Sequence, residues 1–349
     1  MKHRFLLALF SAAAFFLGCW ARQPVSAPPE EPPVIALAAI GDVLLAAQTT
    51  KPGSLQEAKS PFAAVKPVLS GADIAFCNLE CPLSDSKEAA EKKYLFRAPP
   101  ASAAILRSAG IDVVSLANNH TLDYGRKGLL DTFQALQAEG ISWVGAGEDL
   151  QEAQQPQVFS FGSGDNRTRV ALLAYSNMLP TDFYATSLPG TAPALDSLIR
   201  KGVSEASQQA DFVIVSFHWG DENSQFPGLR ERTLARLAID SGADVVLGCH
   251  PHVLQGIERC RGGLIAYSLG NFVFPSRGLA RESAILLLRM QRPKKLSLEV
   301  IPVLIEKSAP RPARGAEAAK ILNRLAALSG QLGTKLEIGA DSAWLETEQ

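Results

Sequence analysis

Four of the five histidines in this 349-residue chain stand in polar clusters, each directly after an apolar run. The most compact cluster is His250-Pro251-His252, which follows ADVVLGC. On an extended chain residues i and i+2 face the same way, so both imidazoles could meet one centre. His218 ends FVIVSFH and is followed by Trp219-Gly220 and Glu222; His120 ends Asn118-Asn119-His120, with Asp123 three residues on. Two carboxylates hold equivalent places upstream, Asp42 after VIALAAIG and Glu80 after ADIAFCNL. Taken singly, each has an ordinary explanation. Asp42 would cap a turn, the asparagines would tolerate left-handed backbone, and His218 would be a satisfied core histidine. Taken together, acid, acid, Asn-His, His and His-x-His at successive run ends predict a metal site. Oxygen and imidazole donors without thiolate suit manganese, iron or zinc alike, as one ion or two.

Such groups converge only if a rigid frame holds them. From residue 34 short β-rich apolar runs (VIALAAI, ADIAFCNLE, IDVVSLANN, FVIVSFHWG, ADVVLGCH) alternate with stretches of helical period. GRKGLLDTFQALQAEG is one such helix, ending at Gly140; PALDSLIRKGVSEASQQA and LRERTLARLAIDSG are others. Continuously apolar strands between amphipathic helices predict an α/β protein whose sheet is buried on both faces. In open α/β sheets the loops at the carboxyl ends of strands form the site, which is where every candidate above falls. After residue 262 the rhythm changes to three strand-like runs, GGLIAYSLGNFVF, SAILLLRMQ and LSLEVIPVLI. VFSFGS and RVALLAYS, either side of a GDN turn, read as a hairpin. The sheets are therefore expected to be mixed, and a last helix, AEAAKILNRLAALSG, closes a single domain over 34–349.

The formal net charge is −1 and no basic block stands out, which excludes nucleic acid as a partner. Lys2-His3-Arg4 and the apolar run Phe5 to Leu17 form a secretory leader too short to span a bilayer. The leader ends in Phe16-Leu17-Gly18-Cys19, similar to a bacterial lipoprotein cleavage box with Cys19 as the lipidated residue. The segmentation expected is a leader over 1–19 and a proline-rich spacer over 20–33 that holds the domain off a membrane surface. The localisation expected is a membrane-anchored lipoprotein on the extracytoplasmic side. Ordinary leader cleavage, with Cys19 discarded, would instead give a secreted or periplasmic protein. Cys77, Cys81, Cys249 and Cys260 remain; Cys77-x3-Cys81 lacks the second half of a structural zinc pattern, so buried thiols or disulfides are expected.

The segments IGDVLL, FCNLECPLS, SLANNHTLDYG, SFHWGDE, LGCHPHVLQG and YSLGNFVF, spread over residues 40–274, resemble the CapA family of capsule and poly-γ-glutamate synthesis proteins. That family is in turn similar to calcineurin-like metallophosphatases. The resemblance implies a four-layer αββα sandwich of two mixed sheets. It makes Asp42 the first metal-binding Asp, Glu80 the carboxylate bridging two metals, Asn119 a metal ligand, and His218, His250 and His252 the remaining ligands. It makes His120 the outer histidine that faces substrate. One departure stands out. The phosphatases carry Asp-x-His where this chain has Asp42-Val43-Leu44, so one metal position loses an imidazole. Asn118, Asp123, Tyr124, Arg97, Glu222 and Asn271 are candidates to approach substrate from neighbouring loops, each with a structural alternative.

Two functions follow. In the first, water activated at the metal attacks a phosphoester or a γ-glutamyl amide, and His120 protonates the leaving group. In the second, the protein is a non-catalytic accessory that binds a polyanionic polymer, or subunits of a capsule synthesis and export complex, and the metal organises the site.

Overall fold

The alternation along the strand Ile35–Val43 decides the architecture: Leu37 and Ala39 enter one hydrophobic core, Ala38 and Ile40 another. Both faces are buried, which is why the run reads as continuously apolar. The computed structural model describes residues 31–46 and 60–346, so the leader with Cys19 and residues 20–30 of the spacer lie outside the described residues. From Pro32 onward the described residues belong to one compact unit.

Ile35–Val43 is parallel to Ile74–Leu79, and the sheet continues in parallel through Val113–Ser115 to Ser142–Val144. On its other side it meets Glu282–Gln291 antiparallel, which pairs in turn with Lys295–Glu306. The second sheet centres on Phe212–His218, parallel to both Thr168–Ser176 and Val245–Cys249. Gly263–Ala266 extends it in parallel, and antiparallel strands, Ile257–Cys260 and Gln157–Phe161, close its edges. The hairpin about the GDN turn is the latter edge.

One core lies between the sheets, joining Leu37, Ile74 and Phe76 to Leu172, Ile214 and Leu247. A second packs the outer face of the first sheet against Ala103–Ala109 and Gly125–Ala138. The third packs Val213, Val215 and Val246 against Asp196–Gln209 and Leu229–Asp240. Helix, sheet, sheet, helix is the expected αββα order. Each helix presents one stripe inward: Leu129, Phe133 and Leu136 on Gly125–Ala138, and Ile199, Val203 and Ala206 on Asp196–Gln209. Gly125–Ala138 stops at Gly140, whose φ of 66° lets Ile141 N–H reach back to the Leu136 carbonyl. Ala316–Gly330 inserts Ile321, Leu322 and Leu325 into the inter-sheet core. Among the described residues no helix is long and apolar enough to cross a membrane.

Two expectations need correction. GGLIAYSLGNFVF is two strands, not one: Gly263–Ala266 belongs to the second sheet and Asn271–Val273 to the first, where it lies parallel to Ile35–Val43. The chain crosses between the sheets over residues 267–270. A Cβ on Gly41 would sit 1.9 Å from the Gly270 carbonyl oxygen, and one on Gly248 1.9 Å from that of Tyr267. Glycine is obligatory at both because the crossing backbone occupies the space. The third strand also ends early, at Ser115, so Asn118-Asn119-His120 stands in a turn rather than on the strand.

Candidate metal centre

Asp42 and Glu80 lie at the carboxyl ends of neighbouring parallel strands, in register through Asp42 opposite Asn78. His218 ends its strand opposite Cys249, which places His250 one residue beyond the sheet. The His-x-His pair does not converge by strand alternation, as its spacing suggested. His250 and His252 have φ of 98° and 59°, left-handed values seldom used by residues with a Cβ. The loop that carries them is held by backbone bonds from Trp219 N–H to the Cys249 carbonyl and from Asn223 N–H to the Pro251 carbonyl. This curl, rather than the pleat, brings the two rings to 5.6 Å between centroids.

Glu80, His250 and His252 offer donor atoms that all lie within 4.8 Å of one another. Glu80 is completely buried, and neither of its carboxylate oxygens has a hydrogen-bond partner. Its Oε1 faces His218 Nε2 at 3.5 Å and His252 Nε2 at 4.0 Å. A buried carboxylate left without donors is costly, and a cation among these atoms is the partner the geometry lacks. The donor set fits a divalent ion.

The surrounding groups hold the donors in place. His252 Nδ1 donates to Asn271 Oδ1 at 2.8 Å and faces Asp42 Oδ2 at 3.1 Å, which turns Nε2 toward Glu80. Asn78 Nδ2 donates to Asp42 Oδ1 at 2.8 Å and reaches His218 Nδ1 at 3.2 Å. His218 Nε2 then meets Asn119 Oδ1 at 2.9 Å and His250 Nδ1 at 3.1 Å. Both oxygens of Asp42 are thus engaged with the protein, and this carboxylate braces His252 as much as it offers itself to an ion. Backing of a ligand imidazole by a carboxylate or amide is the usual arrangement in metal sites.

Electrostatics separate the three imidazoles. Burial, and then the neighbouring His250, hold His218 well below the ordinary histidine range. Burial, reinforced by His252, pushes His250 down to about 4. Both are therefore neutral imidazoles near pH 7. Burial also opposes a proton on His252, but Glu80 and Asp42 outweigh it and push His252 up to about 10. Glu80 itself is raised well above the ordinary carboxylate range by burial and then by Asp42. The Asp42–Glu80–His252 group keeps protons that an ion would have to displace.

His120 stands apart from this cluster. Its Nδ1 faces Asp123 Oδ2 at 2.7 Å, and its ring lies 4.3 Å from that of Phe96. Asp123 also accepts from Lys92 Nζ at 2.6 Å and from Phe96 N–H at 2.7 Å. Lys92 donates as well to the Asn119 carbonyl. Burial lowers the His120 pKa, and the opposing pull of Asp123 is the smaller effect. The result is a neutral imidazole oriented by a carboxylate, the form a positioned proton carrier takes.

The other sequence candidates fall into two groups. Asn271 and Asp123 orient His252 and His120, as described. Asn118 braces the turn, donating to Asn78 Oδ1 and the Leu79 carbonyl and accepting from His120 N–H. Arg97 lies 4.4 Å over the Tyr124 ring and donates to the Ser86 carbonyl, so these two side chains engage each other. Glu222 is exposed and, with His252 and Asn271, lines a cavity of about 500 Å³. The four cysteines are buried and unpaired, and burial raises the thiol pKa of Cys77, Cys81 and Cys249. Three contributors escaped sequence reasoning. Asn78 was visible as a polar residue inside an otherwise apolar strand. Lys92 and Phe96 lie in a loop after SDSKEAAE, whose charges read as a solvated surface.

Comparison with known proteins places the chain in a family. The chain is 32% identical to the PGA biosynthesis protein CapA of Bacillus subtilis over 80% of its own length and 74% of the relative's. It is also 32% identical to the capsule biosynthesis protein CapA of Bacillus anthracis, over 81% and 70%. Among solved structures, the NAD nucleotidase NadN of Haemophilus influenzae aligns with a TM-score of 0.48 at 12% identity, covering 84% of this chain and 63% of that one. The family model for the bacterial capsule synthesis protein PGA_cap matches residues 36–276, a span that includes every residue of the cluster around Glu80. On that match and those two relatives, the chain belongs to the PGA_cap family of bacterial capsule synthesis proteins.

Proposed function

We propose that this protein is an exported, lipid-anchored member of a capsule or poly-γ-glutamate assembly system, and that its site is a metal-dependent hydrolase acting on a phosphoester or a γ-glutamyl amide. The observation that carries the reading is the pair of partnerless, buried oxygens of Glu80 facing imidazole nitrogens, beside the oriented His120–Asp123 pair. Glu80, His250 and His252 would hold a divalent ion, with His218 and Asn119 as further donors beside them. Such an ion polarises an oxygen and acidifies a water when bound. Asp42 and Asn271 aim His252, and Asn78 aims His218. His120, neutral and held through Nδ1–H by Asp123, accepts a proton at its bare Nε2 and passes it on to the leaving group. The donor set suits manganese, iron or zinc, as one ion or two. A panel of phosphoester and γ-glutamyl substrates, assayed with added Mn or Zn, tests the chemistry. Wild-type protein that retains no metal under any loading condition would overturn it.

One observation favours the accessory reading as the alternative. Leu44 is an apolar side chain, 3% exposed, where the phosphatases carry a histidine, so a second ion has one imidazole fewer. On that reading the wild type turns over none of the panel and binds polyanionic polymer in a metal-dependent way. The anchor is tested separately: replacing Cys19 with Ala should release the protein from membranes or leave it unprocessed. Membrane association untouched by that change removes the lipoprotein reading.

A further inference from the structure

Six non-glycine residues among those described have positive φ, and four of them, Asn223, His252, Lys307 and Ser308, line one cavity. Left-handed backbone persists at such residues only where the surroundings impose it, and it gathers at functional sites. Lys307 and Ser308 form the tight turn between Lys295–Glu306 and Ala309–Pro312, a place where Asn-Gly is the favoured pair. A lysine in that turn carries its charge to the cavity that His252 shares with the metal centre.

The cations of this region behave in two ways. Arg281, Arg311, Arg314, Lys320 and Arg324 each have a carboxylate partner. Arg277 and Lys307 line the cavity, are exposed, and have no ion pair or side-chain hydrogen bond among the described residues. Arg277 and Lys307 outweigh the one carboxylate of the lining, Glu222, and about 500 Å³ beside an imidazole of the centre leaves room for an anionic group larger than a single ion. We propose that Arg277 and Lys307 form a substrate-anchoring subsite that grips an anionic oxygen group, carboxylate or phosphate, next to the bond held at the metal centre. This assignment rests on the substrate-binding reading of that centre. It makes the two residues determinants of specificity rather than of catalysis.

The test is calorimetric binding to the full-length chain, with and without Mn, using two probes: a short γ-linked glutamyl peptide and inorganic tripolyphosphate. Arg277→Met and Lys307→Met should each weaken at least one probe on the order of tenfold. The probe that responds identifies the source, carboxylate chain or phosphate. Lys295→Met removes the same charge at the far end of its strand, roughly 35–40 Å away, and should change nothing. All three positions are exposed, so folding is not at issue. Affinities that are unchanged in the Arg277 and Lys307 variants, or that fall equally in Lys295→Met, overturn the subsite. Loss of metal from the wild type, read by elemental analysis, is a failure of the hydrolase reading. Charge-dependent binding that persists without Mn would then still support the subsite.

Discussion

The two sheets contribute to the centre in different ways. The first supplies oxygen and amide groups, Asp42, Asn78, Glu80, Asn118 and Asn119, at or just beyond the ends of parallel strands. These groups brace one another through the Asn78–Asp42 and Asn118–Asn78 bonds. The second sheet supplies imidazoles, and two of its three, His250 and His252, lie on left-handed backbone beyond the strand. One rim is therefore fixed by register and the other is shaped by a loop. The Asn78–His218, Asn119–His218 and Asp42–His252 contacts already tie the rims of the two sheets, and an ion held by Glu80, His250 and His252 would add one more tie.

The sharpest way to break this contrast is to remove one histidine from each side. His252→Ala should lower metal content by elemental analysis and abolish the rise in thermal stability that metal gives. His120→Ala should keep both, yet lose turnover by a factor on the order of 10²–10⁴. Equal metal loss in the two variants would erase the distinction between ligand and proton donor. The next effect is smaller. Asn271→Ala removes one of the two partners of His252 Nδ1 and leaves Asp42, and metal affinity should fall roughly tenfold. An unchanged affinity would mean that Asp42 and the loop suffice to set the ring.

pH sharpens the comparison further. His250, at about 4, and His218, well below its ordinary range, have no proton to lose near neutrality. His252, pushed to about 10, and Glu80, pushed above its usual range, do. Binding then releases protons, so affinity should rise with pH by about tenfold per unit per proton and level off above His252's own value. Titration in buffers of different ionisation heat reads the release directly; its absence would place the proton elsewhere. The smallest effect is on the metal-free protein. Glu80→Gln removes the group that helps hold the His252 proton, so the variant should lose all stabilisation by metal while the metal-free protein melts within about 2 °C of the wild type. A much lower melting point without metal would show that Glu80 is a structural residue.

Much of this was legible in the sequence because period and residue type act locally. Leu37 and Ala38 alternate between two cores, and the helix ending near Gly140 carries its own stop. The polar residues at strand ends were legible because so few other positions in those runs are polar. What escaped depends on distant contacts. Nothing near Lys92 says that its ammonium will meet Asp123, 31 residues away, because that meeting is made by the folding of a charged loop. The convergence of His250 and His252 was anticipated, but through the wrong geometry, because a left-handed turn at two histidines has no signal in residue type. The strand break inside GGLIAYSLGNFVF was hidden for a related reason: both halves are apolar, and only the choice of sheet separates them.

The backbone that crosses between the sheets at residues 267–270 has a consequence for variation. Asp42 N–H bonds to the Gly270 carbonyl, and Leu269 N–H to the carbonyl of Gly248, so one short segment gauges the spacing of both rims. Gly41 and Gly248 touch it at distances where a single methyl cannot fit. An alanine at either position would therefore act at long range, prising the carboxylate rim away from the imidazole rim while leaving every donor atom in the chain. Mutational libraries of this protein should find these two glycines as intolerant as the histidines they never touch.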